Sequence, residues 1–239
     1  MKKPCEALVL EGRRETPMSY SFLIIVLLIA ITNWIAVEKK WKIVEYITKP
    51  GTMIALLVWL GLNDALGGSM IWFTLGAIFS LAGDILLILP REQFVAGLVS
   101  FLLGQLAYII GFFSDPPVFN FIGVVLALIF TANVVWIYRH LAVGLEAKGE
   151  RRLKAPVLIY SIVITIMVFS ALMTLTNPNW GTLEALLVSA GAILFYLSDT
   201  LLAWNRFVAP IPHSGLVVMI TYQLGQIGIL TGAATFYFG

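Results

Sequence analysis

Cysteine, histidine and charge are all scarce in this chain of 239 residues, and each scarcity removes a class of function. The single cysteine, Cys5, stands in a polar N-terminal stretch, so an internal disulfide is excluded and a cysteine-held metal or redox couple has no ligands. The two histidines, His140 and His213, fall in expected loops. A zinc site of clustered His, Cys and carboxylates therefore has no basis, and no imidazole lies at helix depth to activate Ser80, Ser198 or Ser214 as a nucleophile. Glycine-rich phosphate loops and basic nucleic-acid patches are absent too. The expectation is an activity with no metal or organic cofactor and no nucleic-acid partner. Charged residues make up 12% of the chain against 60% hydrophobic, with a mean hydropathy of +0.95, which is too little polar surface to cover a soluble globule.

What the chain has instead is long apolar runs. A bilayer core of about 30 Å takes about 20 helical residues, and runs near that length cover 18–37, 51–66, 70–90, 94–113, 118–138, 156–176, 182–204 and 215–238. They are continuously apolar rather than alternating, which favours helices over a barrel. The expected fold class is an all-α membrane protein with eight transmembrane helices. A polar tail, 1–17, precedes a single domain, 18–239. No small-residue cleavage pattern follows the tail, so the first span is read as retained. Eleven of the 15 Lys and Arg fall in the loops after odd-numbered spans; the other four are in the tail and none lies in the remaining loops. Positive charge near span ends marks the cytoplasmic side, which predicts both termini outside. The compact chain without a sorting tail suggests a bacterial cytoplasmic membrane.

Two aspartates sit deep in these runs, each within a near-copy of one pattern. The first copy reads Gly76-Ala77-Ile78, Asp84-Ile85-Leu86-Leu87 and Leu103-Gly104-Gln105; the second reads Gly191-Ala192-Ile193, Asp199-Thr200-Leu201-Leu202 and Leu224-Gly225-Gln226. In both the aspartate follows the glycine by eight positions, and the offset between aspartates is 115 residues. This predicts an internal duplication: two tandem four-helix repeats, with possible halves 18–138 and 156–238, around a polar cavity near the cytoplasmic side. Both acids ride on odd-numbered spans running the same way, roughly 9 Å and 7 Å from their span ends. They should therefore meet at one depth whichever way the bundle faces.

An intramembrane carboxylate is costly and by default marks a cavity, a partner or a proton path. Neither span carries Lys, Arg or His beside its acid, so no counter-ion is expected. Two such carboxyls close together hold one proton between them more readily than both ionise, giving an acid and a base in one site. Tyr160, Tyr222, Gln105 and Gln226 can reach similar depths from neighbouring spans. For each the plain alternative is packing, an interfacial position or an interhelical hydrogen bond. Gly76, Ser80 and Gly83 near Asp84, and Gly191 and Ser198 near Asp199, are small residues suited to close helix approach. Lys49-Pro50 and Lys154 with Pro156 open the second and sixth spans, where a lysine snorkels or meets a lipid phosphate. The basic stretch from Arg139 to Lys154 reads as a cytoplasmic loop.

Several of these residues, Lys49-Pro50, Gly83-Asp84, Gly97, Phe101, Gly104, Tyr108, Tyr160, Met167, Phe195, Ser198-Asp199, Phe207, Thr221-Tyr222 and Gln226, together resemble the YhhN family, which includes the lysoplasmalogenases. The likeness runs from Lys49 to Gln226, and the block from Ser198-Asp199 to Tyr222 and Gln226 is its most specific part. Gln105 departs from it, standing where histidine is frequent. The resemblance implies an eight-helix membrane enzyme that hydrolyses the vinyl ether of lysoplasmalogens to a fatty aldehyde and a glycerophospho-ethanolamine or glycerophospho-choline, with a lysophospholipid and membrane lipids as its partners. Asp84 and Asp199 would be catalytic; Lys49, Gln105, Tyr108, Tyr160, Ser198, Tyr222 and Gln226 would bind substrate, with Lys49 at the phosphate. Paired carboxyls suit the reaction, since one protonates carbon and the other steadies the cation and activates water, as in glycoside hydrolysis.

Two other readings share the paired acids. A di-aspartyl intramembrane protease would carry Gly-x-Gly-Asp, whereas position 81 is Leu and Asp199 follows Ser198. A proton-coupled carrier or lipid-binding protein would also duplicate a bundle around acids, but nearer the midplane and with broken spans.

Overall fold

Continuous apolar runs can satisfy their backbone in lipid only as helices, and helices are what they form. The computed structural model describes residues 18–89, 93–116 and 120–238; the 1–17 tail with Cys5 lies outside them. Among the described residues there is no strand, and eight α-helices follow in order: α1 (Phe22–Glu38), α2 (Lys42–Leu62), α3 (Ile71–Ile88), α4 (Phe94–Phe113), α5 (Phe121–Ala147), α6 (Lys154–Met173), α7 (Thr182–Phe207) and α8 (Ser214–Phe238). Seven of them, α2 to α8, are long and apolar enough to cross a membrane, and α1 is a shorter apolar helix of 17 residues. The chain is an integral multi-pass membrane protein.

α4 coincides with its apolar run, but α2 and α5 do not. α2 starts at Lys42, nine residues before the 51–66 run, and α5 continues to Ala147, nine beyond 138. Hydropathy stops at the first charges; backbone hydrogen bonding does not. The first turn of α2 is polar yet helical, with Lys42 Nζ 2.9 Å from Glu45 Oε2, an (i, i+3) pair that supports a helix end. Pro50 thus falls inside α2 rather than in its first turn, removing one rung of its hydrogen-bond ladder.

α3 with α4 and α7 with α8 form the closest neighbouring pairs, seamed by glycine. A Cβ on Gly104 would stand 3.0 Å from Gly76 O, and one on Gly225 would stand 2.9 Å from Gly191 O and 2.8 Å from Phe195 N. Only a residue without a side chain lets backbones approach so closely. α5 is the loosest member, burying only Gly123, Ile137, Leu141 and Leu145. At one end of the bundle Asp115 accepts from Asn177 Nδ2 (2.8 Å), Asn179 Nδ2 (2.9 Å) and Trp180 Nε1 (3.0 Å), and Trp180 stacks on Phe236 with ring centroids 3.8 Å apart. The turns from Lys39 to the start of α2 at Lys42 and from Lys148 to the start of α6 at Lys154 close the other end, and the two aspartates lie toward it.

Candidate active site

Asp84 is in the last turns of α3, where it has no exposed surface. Its Oδ2 accepts a hydrogen bond from Tyr222 of α8 at 2.8 Å, and Lys49 Nζ lies 3.5 Å from its Oδ1. The expectation that no cation accompanies the acids is thereby corrected, and so is the placement of Lys49 at a rim. Because α2 begins at Lys42, Lys49 stands about two turns inside it, 7% exposed, and its ammonium is directed at a carboxylate within the bundle rather than at a lipid phosphate. A polar cluster joining α1, α2 and α8 was missed in reading the sequence. Asn33 Nδ2 donates to Thr48 Oγ1 (3.0 Å), and Gln223 Nε2 donates to Asn33 Oδ1 (3.2 Å) and Thr52 Oγ1 (3.1 Å). Asn33, the one carboxamide in the run 18–37, was the signal available for it.

Asp199 occupies α7 two to three turns before its end and is half-buried. Its Oδ2 accepts from Tyr160 OH of α6, in a short hydrogen bond, and from Gln105 Nε2 of α4 at 3.2 Å; Gln105 Nε2 also lies 2.7 Å from Tyr160 OH. Both donors converge on one oxygen, which leaves Oδ1 without a protein donor among the described residues. Aromatic rings pack around Tyr222, which lies 5.8 Å from Phe101 and 5.7 Å from Phe195 between ring centroids.

The remaining candidates are set apart from the carboxyls. Tyr108 OH donates to Gln226 Oε1 (2.6 Å), and Gln226 Nε2 to Ser80 Oγ (3.0 Å), a buried link among α3, α4 and α8. Ser198 Oγ donates to Val218 O (3.1 Å), so it stitches α7 to α8. The structure thus groups Asp199 with Tyr160 and Gln105, and Asp84 with Lys49 and Tyr222. Tyr108 and Gln226 lie deeper, and Ser198 lies in a helix seam.

A cavity partly open to the surface lies among α4, α5, α6 and α7, with about 700 Å³ of space between its walls when the open part is included. A polar cavity shared by both acids was expected; this one is walled mainly by side chains such as Leu98, Ile137, Leu141, Ile164 and Phe207. Asp199 and Tyr160 interrupt that wall, and Asp84 is not part of it. The reason is local: Tyr222 and Lys49 enclose Asp84, whereas Asp199 is covered on one oxygen only. Tyr196, whose hydroxyl donates to Asn133 Oδ1 of α5 at 2.6 Å, and Thr200, read in the sequence only as part of the repeat, also line the cavity. No group of His, Cys, Asp and Glu among the described residues could hold a metal ion.

These features define an all-helical multi-pass membrane protein with one buried and one half-buried carboxyl toward one end, the latter opening on an apolar cavity. The chain belongs to the YhhN family, whose model matches residues 44–233. It is 31% identical to the lysoplasmalogenase TMEM86B of Sus scrofa over 73% of this chain and 69% of that protein, and 31% identical to that of Mus musculus over 84% and 79%. A lysoplasmalogenase of Mycobacterium bovis is 28% identical over 79% of this chain and 69% of its own length. No solved structure matches the chain.

Proposed function

We propose that this protein hydrolyses the vinyl ether bond of lysoplasmalogens, releasing a fatty aldehyde and a glycerophospho-ethanolamine or glycerophospho-choline. The observation that carries the reading is Asp199, a carboxyl clamped on one oxygen by Tyr160 and Gln105 and set in the wall of an apolar cavity. Relatives named lysoplasmalogenase at about 30% identity support the same substrate. A single aliphatic chain fills the cavity, which brings the vinyl ether to Asp199. The Oδ1 proton of Asp199 passes to the ether's β-carbon, and the electron pair of the double bond forms the new C–H bond. The oxocarbenium ion so formed is stabilised by the Asp199 carboxylate. Water adds to it and gives up a proton to the Asp199 carboxylate, which restores the acid, and the neutral hemiacetal collapses to aldehyde and alcohol. Asp84, ion-paired to Lys49, is the charged member of the two acids. It holds the Tyr222 hydroxyl and contributes a negative field toward the developing cation.

Two structural relations support the tandem duplication. Gly104 lies against Gly76 as Gly225 lies against Gly191, and the second helix of each half meets the acid of the third, Lys49 with Asp84 and Tyr160 with Asp199. The site end, with its basic loops, is then cytoplasmic, in a bacterial inner membrane.

The test compares a lysoplasmalogen with its saturated alkyl-ether analogue in detergent or liposomes. Aldehyde release from the vinyl ether alone is expected, because only the vinyl ether accepts a proton on carbon. Asp199→Asn should lower kcat by about 10²- to 10⁴-fold, the usual contribution of a positioned acid. Binding without turnover would favour a carrier, and near wild-type turnover by Asp199→Asn would sink the acid assignment.

A further inference from the structure

The polar side chains in the cavity wall are Tyr160, Ser161, Tyr196, Asp199 and Thr200, and the last three belong to α7. Tyr196 stands three residues before Asp199 and four before Thr200, so it neighbours both on the helix surface. At the same offsets from Asp84 stand Leu81 and Ile85. At these positions hydroxyls accompany only the acid that opens on the cavity.

On α6, Ser161 Oγ donates to Val157 O (2.8 Å) and Thr165 Oγ1 to Ser161 O (2.7 Å), each committing its proton to the carbonyl four residues back. Thr200 makes no such bond among the described residues, and its hydroxyl stands beside that of Tyr196. Tyr196 gives its own proton to Asn133 Oδ1 (2.6 Å), which leaves its oxygen as an acceptor. Thr200 and Tyr196 together offer a donor and an acceptor next to the acid. The group that answers both is an alcohol, since an ester or ether oxygen only accepts.

A lysoplasmalogen carries one alcohol near its reacting bond, the free hydroxyl on the central glycerol carbon. Five bonds separate that oxygen from the vinyl carbon that takes the proton, about 6 Å when extended. Neighbouring side chains on a helix surface start about 5–6 Å apart. With the vinyl carbon at Asp199, the hydroxyl comes to Thr200 and Tyr196. We infer that Thr200 is a specificity-determining residue that reads the free central hydroxyl of the substrate. This rests on the vinyl ether hydrolase reading above.

The experiment measures kcat/KM for two substrates with the same alkenyl chain and headgroup, a 1-O-alkenyl glycerophosphoethanolamine and its 2-deoxy analogue, which has hydrogen in place of the central hydroxyl. The readout is their ratio, taken on one preparation so that the fraction of folded protein cancels. In the unsubstituted protein the ratio should favour the hydroxyl substrate. Thr200→Val keeps the shape and removes the hydroxyl; it should lower the ratio by about 2- to 12-fold, the range for one neutral hydrogen bond. Thr200→Ser should keep most of the preference. Equal losses on both substrates in Thr200→Val, the result if Thr200 instead held the attacking water, leave the ratio unchanged and overturn the inference while the hydrolase reading stands. Absence of any preference in the unsubstituted protein overturns it in the same way. Failure of the unsubstituted protein to cleave either substrate overturns both.

Discussion

Lys49 and Asp84 make the sharpest point at the scale of single residues, because each is buried and each is the other's charge partner. Removing one member of a buried pair strands the other and costs about 3–5 kcal/mol, whereas replacing both by neutral groups is often close to neutral. Asp84→Asn alone should therefore lower the thermal transition in detergent steeply, and Lys49→Met with Asp84→Asn should recover most of it while aldehyde release stays low. A double variant no more stable than the single one would show that the pair does not carry the local stability. The two acids were legible in the sequence because any carboxylate in an apolar run stands out. Lys49 was legible as a residue but not as a partner, since its direction depends on where α2 begins. Gln105 donates to Asp199 through its amide, so the site has a donor there without a titrating group.

At the scale of elements, the seam between α7 and α8 decides how Asp199 is presented. Gly225 faces the backbone of Gly191 and Phe195 with no space for a methyl group. Gly225→Ala should force the helices apart, costing about 1–3 kcal/mol as overpacking does, and should reduce turnover because Asp199 and Phe195 sit on the displaced segment. The check is a thermal melt beside the aldehyde assay; an unchanged melt would mean that the seam relaxes elsewhere. Helix number and order were readable from hydropathy, and α4 was readable to the residue. α2 and α5 were not, because windows of hydropathy end at the first charges while a helix extends as far as its backbone bonds are satisfied.

For the molecule as a whole, the basic loops and the aspartates lie toward one end and the Asp115 cluster lies at the other. With Cys5 replaced by Ser, Ala147→Cys reports the first end and Thr182→Cys the second. A membrane-impermeant maleimide should label Thr182→Cys in intact cells and Ala147→Cys only after permeabilisation; the reverse pattern would invert the orientation. The sequence by itself determined that this is a multi-pass helical protein, that two acids are placed in equivalent frames, and that they travel to the same end. Those properties depend on composition and position along the chain. Only the tertiary structure decided that Asp199 opens on the cavity while Asp84 is sealed beside Lys49, and that the cavity is apolar. Helices apolar on all sides leave no polar face in the sequence to fix their rotation. Which side chain turns inward is set by glycine seams and interhelical hydrogen bonds, and these exist only once the helices have met.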